Sequence, residues 1–176
     1  ALPSLIEQID GLAAMANEFA QFAKLPDPQF EPLDLKNLVQ SIMPLFENKS
    51  IIEFESKGTD FKILADKKML GQVLNNLINN ALQATQETVN PVIQITIASK
   101  EKLLTLAVKD NGVGISEAAK EKIFTPYFTT KSSGSGIGLN VVRQILEKHN
   151  GKIYFESEEG KGSCFFVELP LFSEGS

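Results

Sequence analysis

Apolar residues recur at spacings of three and four from the first residues onward. Leu2, Leu5, Ile9, Leu12, Ala16, Phe19 and Ala23 form a seam that predicts an amphipathic helix. That seam suits either a helix docked on its own domain or half of a helical hairpin that dimerises. The segment KLPDPQFEPLDL, with Pro26, Pro28 and Pro32, then breaks the helix and reads as a linker. Asp34 is placed to cap a second helix to about Phe46, and Asp66 a long third one to about Thr85. Alternating runs predict strands at 51–55, 61–64, 92–99, 103–108, 152–157 and 163–169, the last two joined by the turn EEGKG. A short helix near 117–124 and another ending near Lys148 complete the pattern. Strands grouped with helices on one side predict an α+β fold, a two-layer α/β sandwich with a mixed, largely antiparallel sheet, preceded by an N-terminal helix. The divisions expected are a helical segment 1–24, a linker 25–33, a domain 34–172 and a tail 173–176.

Composition narrows the partners. The 176 residues suffice for one full core, and a formal net charge of −5 argues against an electrostatic footprint for nucleic acid. No apolar run is long enough to span a bilayer, so the chain is expected to be a cytoplasmic fragment, and a membrane span elsewhere in a parent chain stays open. Cys164, set among Phe165, Phe166 and Val167, reads as a buried thiol. As the sole cysteine it has no internal disulfide partner.

Three stretches carry candidate chemistry. In KSSGSGIGLNVVRQIL, Gly134, Gly136 and Gly138 run into a helix start. The spacing fits neither a dinucleotide fingerprint nor a P-loop, because no strand precedes it and no Gly-Lys-Ser/Thr follows. A helix N-terminus with bare backbone still attracts phosphate, and Lys131 adds a positive charge; a plain loop remains the alternative. In LGQVLNNLINNALQAT, Gln72, Asn76, Asn80 and Gln83 fall on one helix face, opposite Val73, Leu74, Leu77, Ile78 and Ala81. Asn is a poor helix former and a solvated face normally uses Glu and Lys, so the amide row suits a metal–nucleotide site. An amide oxygen is a hard ligand acceptable to Mg2+. In DNGVGI, Asp110 reads either as turn chemistry or as a carboxylate that accepts from the adenine amino group. Guanine would leave that carboxylate facing a carbonyl. Gly112 and Gly114 give room for the ring.

Taken in this order, these stretches resemble the catalytic ATP-binding domain of sensor histidine kinases, within the GHKL superfamily. NLINNA resembles the N box, DNGVGI the first glycine box, IFTPYFTTK the F box, GSGIGL the second glycine box and EGKGS the last small-residue motif. The similarity runs from about Phe30 to Leu171. MANEFAQFAKLPDP resembles the end of a dimerisation-domain helix of nitrogen-regulation-type kinases, which favours the bundle reading of the first helix.

The resemblance implies ATP and Mg2+ as cofactors. It places Asn80 on the metal, Asn76 on phosphate or the metal's water shell, and Lys131 on the phosphates. Asp110 would read adenine beside Gly112 and Gly114, with Gln83 among the nucleotide contacts. A lid would run from about Ile115 to Gly136, with Phe124, Tyr127 and Phe128 packing its hinge or the nucleotide edge. Thr130 belongs to the same segment, with Thr125 and Thr129 as weaker candidates. Ser135, Ile137 and Leu139 would line the phosphate end together with Gly134, Gly136 and Gly138. Many relatives carry Lys or Arg at the position of Gln83, so its neutrality shifts charge neutralisation to Lys131 and the cation. Hydrolytic superfamily members have Glu at the position of Asn76, and an amide there favours transfer to a side chain over hydrolysis.

The implied partners are a histidine-bearing dimerisation domain, a response regulator and a second copy of the parent chain. The only histidine, His149, falls at a helix end and reads as a dipole or surface cap rather than a phosphoacceptor. The alternatives are a GHKL serine kinase of an anti-sigma type and a nucleotide-binding module without transfer.

Overall fold

In the computed structural model, which describes residues 2–23, 25–126 and 138–174 and, in the first helix, the side chains of 4–16, the helix-spaced seam at the start is α1 (Leu2–Ala23). Its apolar side chains Leu5, Ile6, Ile9, Leu12 and Met15 are all exposed, at 46–65%.

The stretch read as linker ends in structure. Glu31–Asp34 is a strand, β1, antiparallel to β3 (Lys62–Ala65), with Glu31 opposite Ala65. Pro32 is tolerated because this is a two-stranded edge ribbon, where a missing N–H costs little. Asp34 then caps α2 (Leu35–Ile42) by accepting from the Asn37 amide at 3.0 Å, and a 3-10 turn, Met43–Leu45, extends the helix.

β2 (Ile52–Lys57), β4 (Ile93–Lys100), β5 (Leu103–Asp110), β6 (Lys152–Glu158) and β7 (Gly162–Pro170) form one sheet in the order β2-β4-β5-β7-β6. Only the β2–β4 pair is parallel; the other three are antiparallel. The expected mixed, largely antiparallel sheet is therefore present.

Strand alternation decides which face is covered. Ile93, Ile95 and Ile97 on β4, Leu104, Leu106 and Val108 on β5, and Phe165, Val167 and Leu169 on β7 point inward and are buried. They meet the apolar stripes of α2, of α3 (Lys67–Ala84) and of α5 (Gly138–Lys148), with Leu70, Val73, Leu74, Leu77, Ile78, Val142, Ile145 and Leu146 each at most 1% exposed. Each such side chain contributes about 1.5–3 kcal/mol when fully buried, which is why α3 holds its place despite four asparagines. The layers are thus helices on one face of the sheet and solvent on the other. A four-residue helix, α4 (Glu117–Lys120), capped by Ser116, follows the first glycine loop.

Candidate functional site

α3 is the spine of the site. Asp66 starts it, accepting from the Met69 amide at 3.0 Å and from the Gln29 amide at 2.8 Å. Burial pushes the Asp66 carboxyl up, but the amides of Gln29, Met69 and Lys68 outweigh it and hold the group below its ordinary value. Along the helix, Gln72, Asn76 and Asn80 are half-buried and Gln83 is exposed, opposite the buried stripe, so the expected amide row exists.

The two glycine motifs close on this helix at different heights. Gly138, the first residue of α5, lies so near Asn76 that a Cβ on it would sit 3.1 Å from Asn76 Oδ1. Gly112 packs on the far end, where a Cβ would meet the Ala84 carbonyl oxygen at 2.2 Å and the Val113 amide donates to that oxygen at 3.0 Å. Only glycine fits there, and the loop satisfies a carbonyl that the helix end would otherwise orphan. Asn76 and Ala84 are eight residues apart, about 12 Å along the helix axis at 1.5 Å per residue.

Asp110, at the end of β5, is 5% exposed, and its Oδ1 accepts from the Gly112 amide at 2.9 Å. Gly114 takes φ +69°, a conformation that favours glycine, and its α-carbon abuts the Glu158 carbonyl. Ile115, Phe124 and Leu139 are half-buried against the core. Phe124 packs on Phe155, ring centroids 5.9 Å apart, with the Arg143 guanidinium 5.7 Å from its own centroid. Thr125 is exposed. Tyr127, Phe128, Thr129, Thr130, Lys131, Gly134, Ser135, Gly136 and Ile137 lie outside the described residues.

Asn140, Asn111, Ser157 and Ser163 also hold the site's frame, and none stood out in the sequence. Asn140, 4% exposed, donates from Nδ2 to the Phe124 carbonyl at 2.7 Å and accepts from Gln144 at 3.1 Å, so α5 grips the first residues of the F box. The visible signal is a lone amide flanking the buried Val141–Val142 pair. Asn111 bridges two chain segments, accepting from the Val92 amide at 2.9 Å and donating to the Asn90 carbonyl at 3.0 Å. Ser157 and Ser163 are ordinary in sequence; only strand register brings them beside Asp110.

His149 differs from the surface cap expected. It is 3% exposed, with Nε2 accepting from the Asp66 amide at 3.0 Å and Nδ1 donating to the Ile145 carbonyl at 2.7 Å. It does cap α5, but from inside the protein, because α5 runs antiparallel to α3 and ends against the start of that helix. Cys164 is half-buried rather than buried, on the sheet's outer face, and burial pushes its thiol up to about 11. Such a thiol is protonated and unreactive near neutral pH.

Among the described residues no three acidic, histidine or cysteine side chains cluster to hold a metal. The donor set is amide oxygen, which fits a hard cation that arrives with phosphates rather than one held by protein alone. Nor does any helix among the described residues have the length and apolarity to cross a membrane.

An amide-bearing helix thus has a buried carboxylate loop at one end and a glycine-started helix against its middle. Residues 65–173 match the family model described as histidine kinase-, DNA gyrase B- and HSP90-like ATPase, and the chain belongs to that family. The catalytic domain of histidine kinase ThkA is 36% identical, with a TM-score of 0.69 over 81% of this chain and 95% of that one. ThkA in complex with response regulator TrrA is 32% identical, with a TM-score of 0.77 over 97% of this chain and 50% of that one. The sensor histidine kinase ZraS of Escherichia coli is 35% identical over 95% of this chain, and a putative NtrY-like sensor kinase of Rickettsia conorii 30% over 97%. The chain spans only 37% and 29% of those two relatives. It is a histidine-kinase-type catalytic ATP-binding domain.

Proposed function

We propose that this chain binds Mg·ATP along α3 and acts as the phosphodonor part of a sensor histidine kinase. The carrying observation is that Gly112, bonded to Asp110, packs on one end of α3 while Gly138 packs on Asn76 near its middle, a separation that suits a base at the first place and phosphates at the second. Asp110 accepts from the adenine amino group, while the Gly112 amide on Oδ1 fixes its direction. The half-buried Asn76 and Asn80 offer neutral oxygens and N–H groups that order phosphates without trapping them. Bound Mg2+ would supply charge neutralisation, with Asn80 as its protein ligand and Lys131 as a second source of positive charge. Asn76 cannot take a proton from water, so no general base for hydrolysis stands there, and positioning favours transfer to a side chain.

The acceptor is a histidine on a dimerisation domain outside these residues. His149 does not qualify, since both its ring nitrogens are engaged in a buried site. The exposed apolar row on α1 is the end of the helical bundle that carries such a histidine, and two copies of the parent pair there. The complex of ThkA with its regulator supports a response regulator as the next recipient. A position on the cytoplasmic side of the inner membrane suits that pathway. The proposed division keeps a helical segment 1–24 and a tail 173–176, and gives to the ATP-binding domain, expected at 34–172, the strand Glu31–Asp34 at the end of the stretch 25–33 read as linker.

Fusing the chain to a histidine-bearing dimerisation domain and supplying γ-labelled ATP with Mg2+ tests this. Acid-labile label on that domain, lost with Asn80→Ala, is expected. Label on a serine, or ATP binding without transfer, would overturn the proposal.

A further inference from the structure

The turn between β6 and β7 closes on the first glycine loop at several points. The Gly160 amide donates to the Val113 carbonyl at 2.7 Å, and a Cβ on Gly162 would stand 2.1 Å from the Asp110 carbonyl. These contacts are backbone. One more uses a side chain: the Ile115 amide donates to Ser157 Oγ at 2.8 Å.

Strand register sets Ser157 opposite Ser163, and Ser163 opposite Asp110. Three polar residues therefore stand in a row across β6, β7 and β5 on the inward face of the sheet. The next inward row is apolar, Phe155, Phe165 and Val108. A polar row at one end of an apolar face needs a reason, because each member costs free energy unless it is paired.

The hydroxyls can be counted. Ser157 Oγ has one proton and two lone pairs. One lone pair takes the Ile115 amide. The proton has two acceptors in reach, the Gly162 carbonyl at 3.0 Å and Ser163 Oγ at 2.8 Å. If Gly162 takes it, Ser163 donates back into Ser157 and turns its proton away from Asp110. If Ser163 takes it, the Ser163 proton is free to turn toward Asp110, its cross-strand neighbour. In both arrangements the direction of the Ser163 hydroxyl is decided by Ser157.

We propose that Ser157 is a positioning residue for base selection: it fixes Ile115 at the end of the glycine loop and orients Ser163 beside Asp110, sharpening the preference for an amino purine over an oxo purine. The proposal rests on the reading of Asp110 as the purine contact. Ser157 touches no ligand itself and acts through its two neighbours.

The test measures equilibrium ATP and GTP binding by the chain and by Ser157→Ala, Ser157→Thr, Ser163→Ala and the Ser157/Ser163 double alanine variant, each checked for a cooperative melt. Ser157→Ala should weaken ATP binding about five- to tenfold, the worth of about one neutral hydrogen bond, while GTP binding changes less than about twofold. Ser157→Thr keeps the hydroxyl and should stay within about twofold of the parent for both nucleotides. The Ser157 and Ser163 losses should be less than additive, because one works through the other. Equal proportional losses for ATP and GTP, full additivity, or no rescue by threonine would reduce Ser157 to ordinary packing and overturn the proposal. A parent chain that does not bind ATP would instead remove the functional reading and this proposal together.

Discussion

Replacing His149 by phenylalanine keeps an aromatic ring in the space between α3, α5 and the segment before β1, but removes both ring nitrogens. The Asp66 amide then loses its acceptor, 3.0 Å away, and the Ile145 carbonyl its donor, 2.7 Å away, in a site 3% exposed. A buried polar group left unpaired costs about 1–3 kcal/mol, so two cost about 2–6 kcal/mol. The Phe30 ring, 5.2 Å from the imidazole in an edge-on arrangement, can still pack on phenylalanine. No cavity cost enters, whereas His149→Ala would add one. At about 2–4 °C per kcal/mol for a domain of this size, His149→Phe should melt about 10 °C lower. Circular dichroism melts and urea titrations read this directly. ATP affinity, measured well below the melt, should change less than about threefold, because Asp110 and Gly112 lie at the other end of α3. A phenylalanine variant as stable as the parent would refute the account of His149 as a buried two-sided hydrogen-bond bridge.

Other expectations follow from the same contacts. The Asp66 carboxyl is held below its ordinary 3.8, so the stability it contributes is present above that value and is lost as pH falls through its lower folded-state value. Asp66→Asn retains a capping oxygen but not the charge, so the gap in urea midpoint between parent and variant should narrow as the pH falls below about 3.8; a gap unchanged down to pH 3 would contradict this. Two glycines of the site region should behave oppositely. Gly112→Ala drives a Cβ to 2.2 Å from the Ala84 carbonyl and should cost about 1–3 kcal/mol together with most of the ATP affinity. Gly71→Ala, within α3, meets only Ile42 Cδ1 at 3.9 Å and should add about 1 kcal/mol in a thermal melt.

The elements most legible in the sequence were those whose periodicity and burial agree. The caps Asp34, Asp66 and Ser116, the stripe of α3 and the paired strands β4–β5 and β6–β7 obey local rules that tertiary packing only reinforces. β1 reads as linker because Pro32 and the flanking charges speak against a strand, and only its pairing with β3 makes it one. The environment of His149 was equally out of reach. A histidine before Asn-Gly looks like an exposed helix end, and its burial comes from α3 beginning 83 positions away. The N-box amides and Asp110 could be found because their residue types are unusual for their elements. Ser157, Ser163 and Asn140 are not unusual, and their roles come from register and from one long-range hydrogen bond.

The central claim is that a single pocket along α3 reads adenine at Asp110 and receives phosphate near Asn76 and Gly138. Titrating the unmodified chain and Asp110→Asn with ATP and with GTP, in the presence and absence of Mg2+, tests it most directly. The account predicts tight ATP binding that Mg2+ strengthens, a large preference over GTP, and collapse of that preference in Asp110→Asn. Equal affinity of the unmodified chain for ATP and GTP would contradict it.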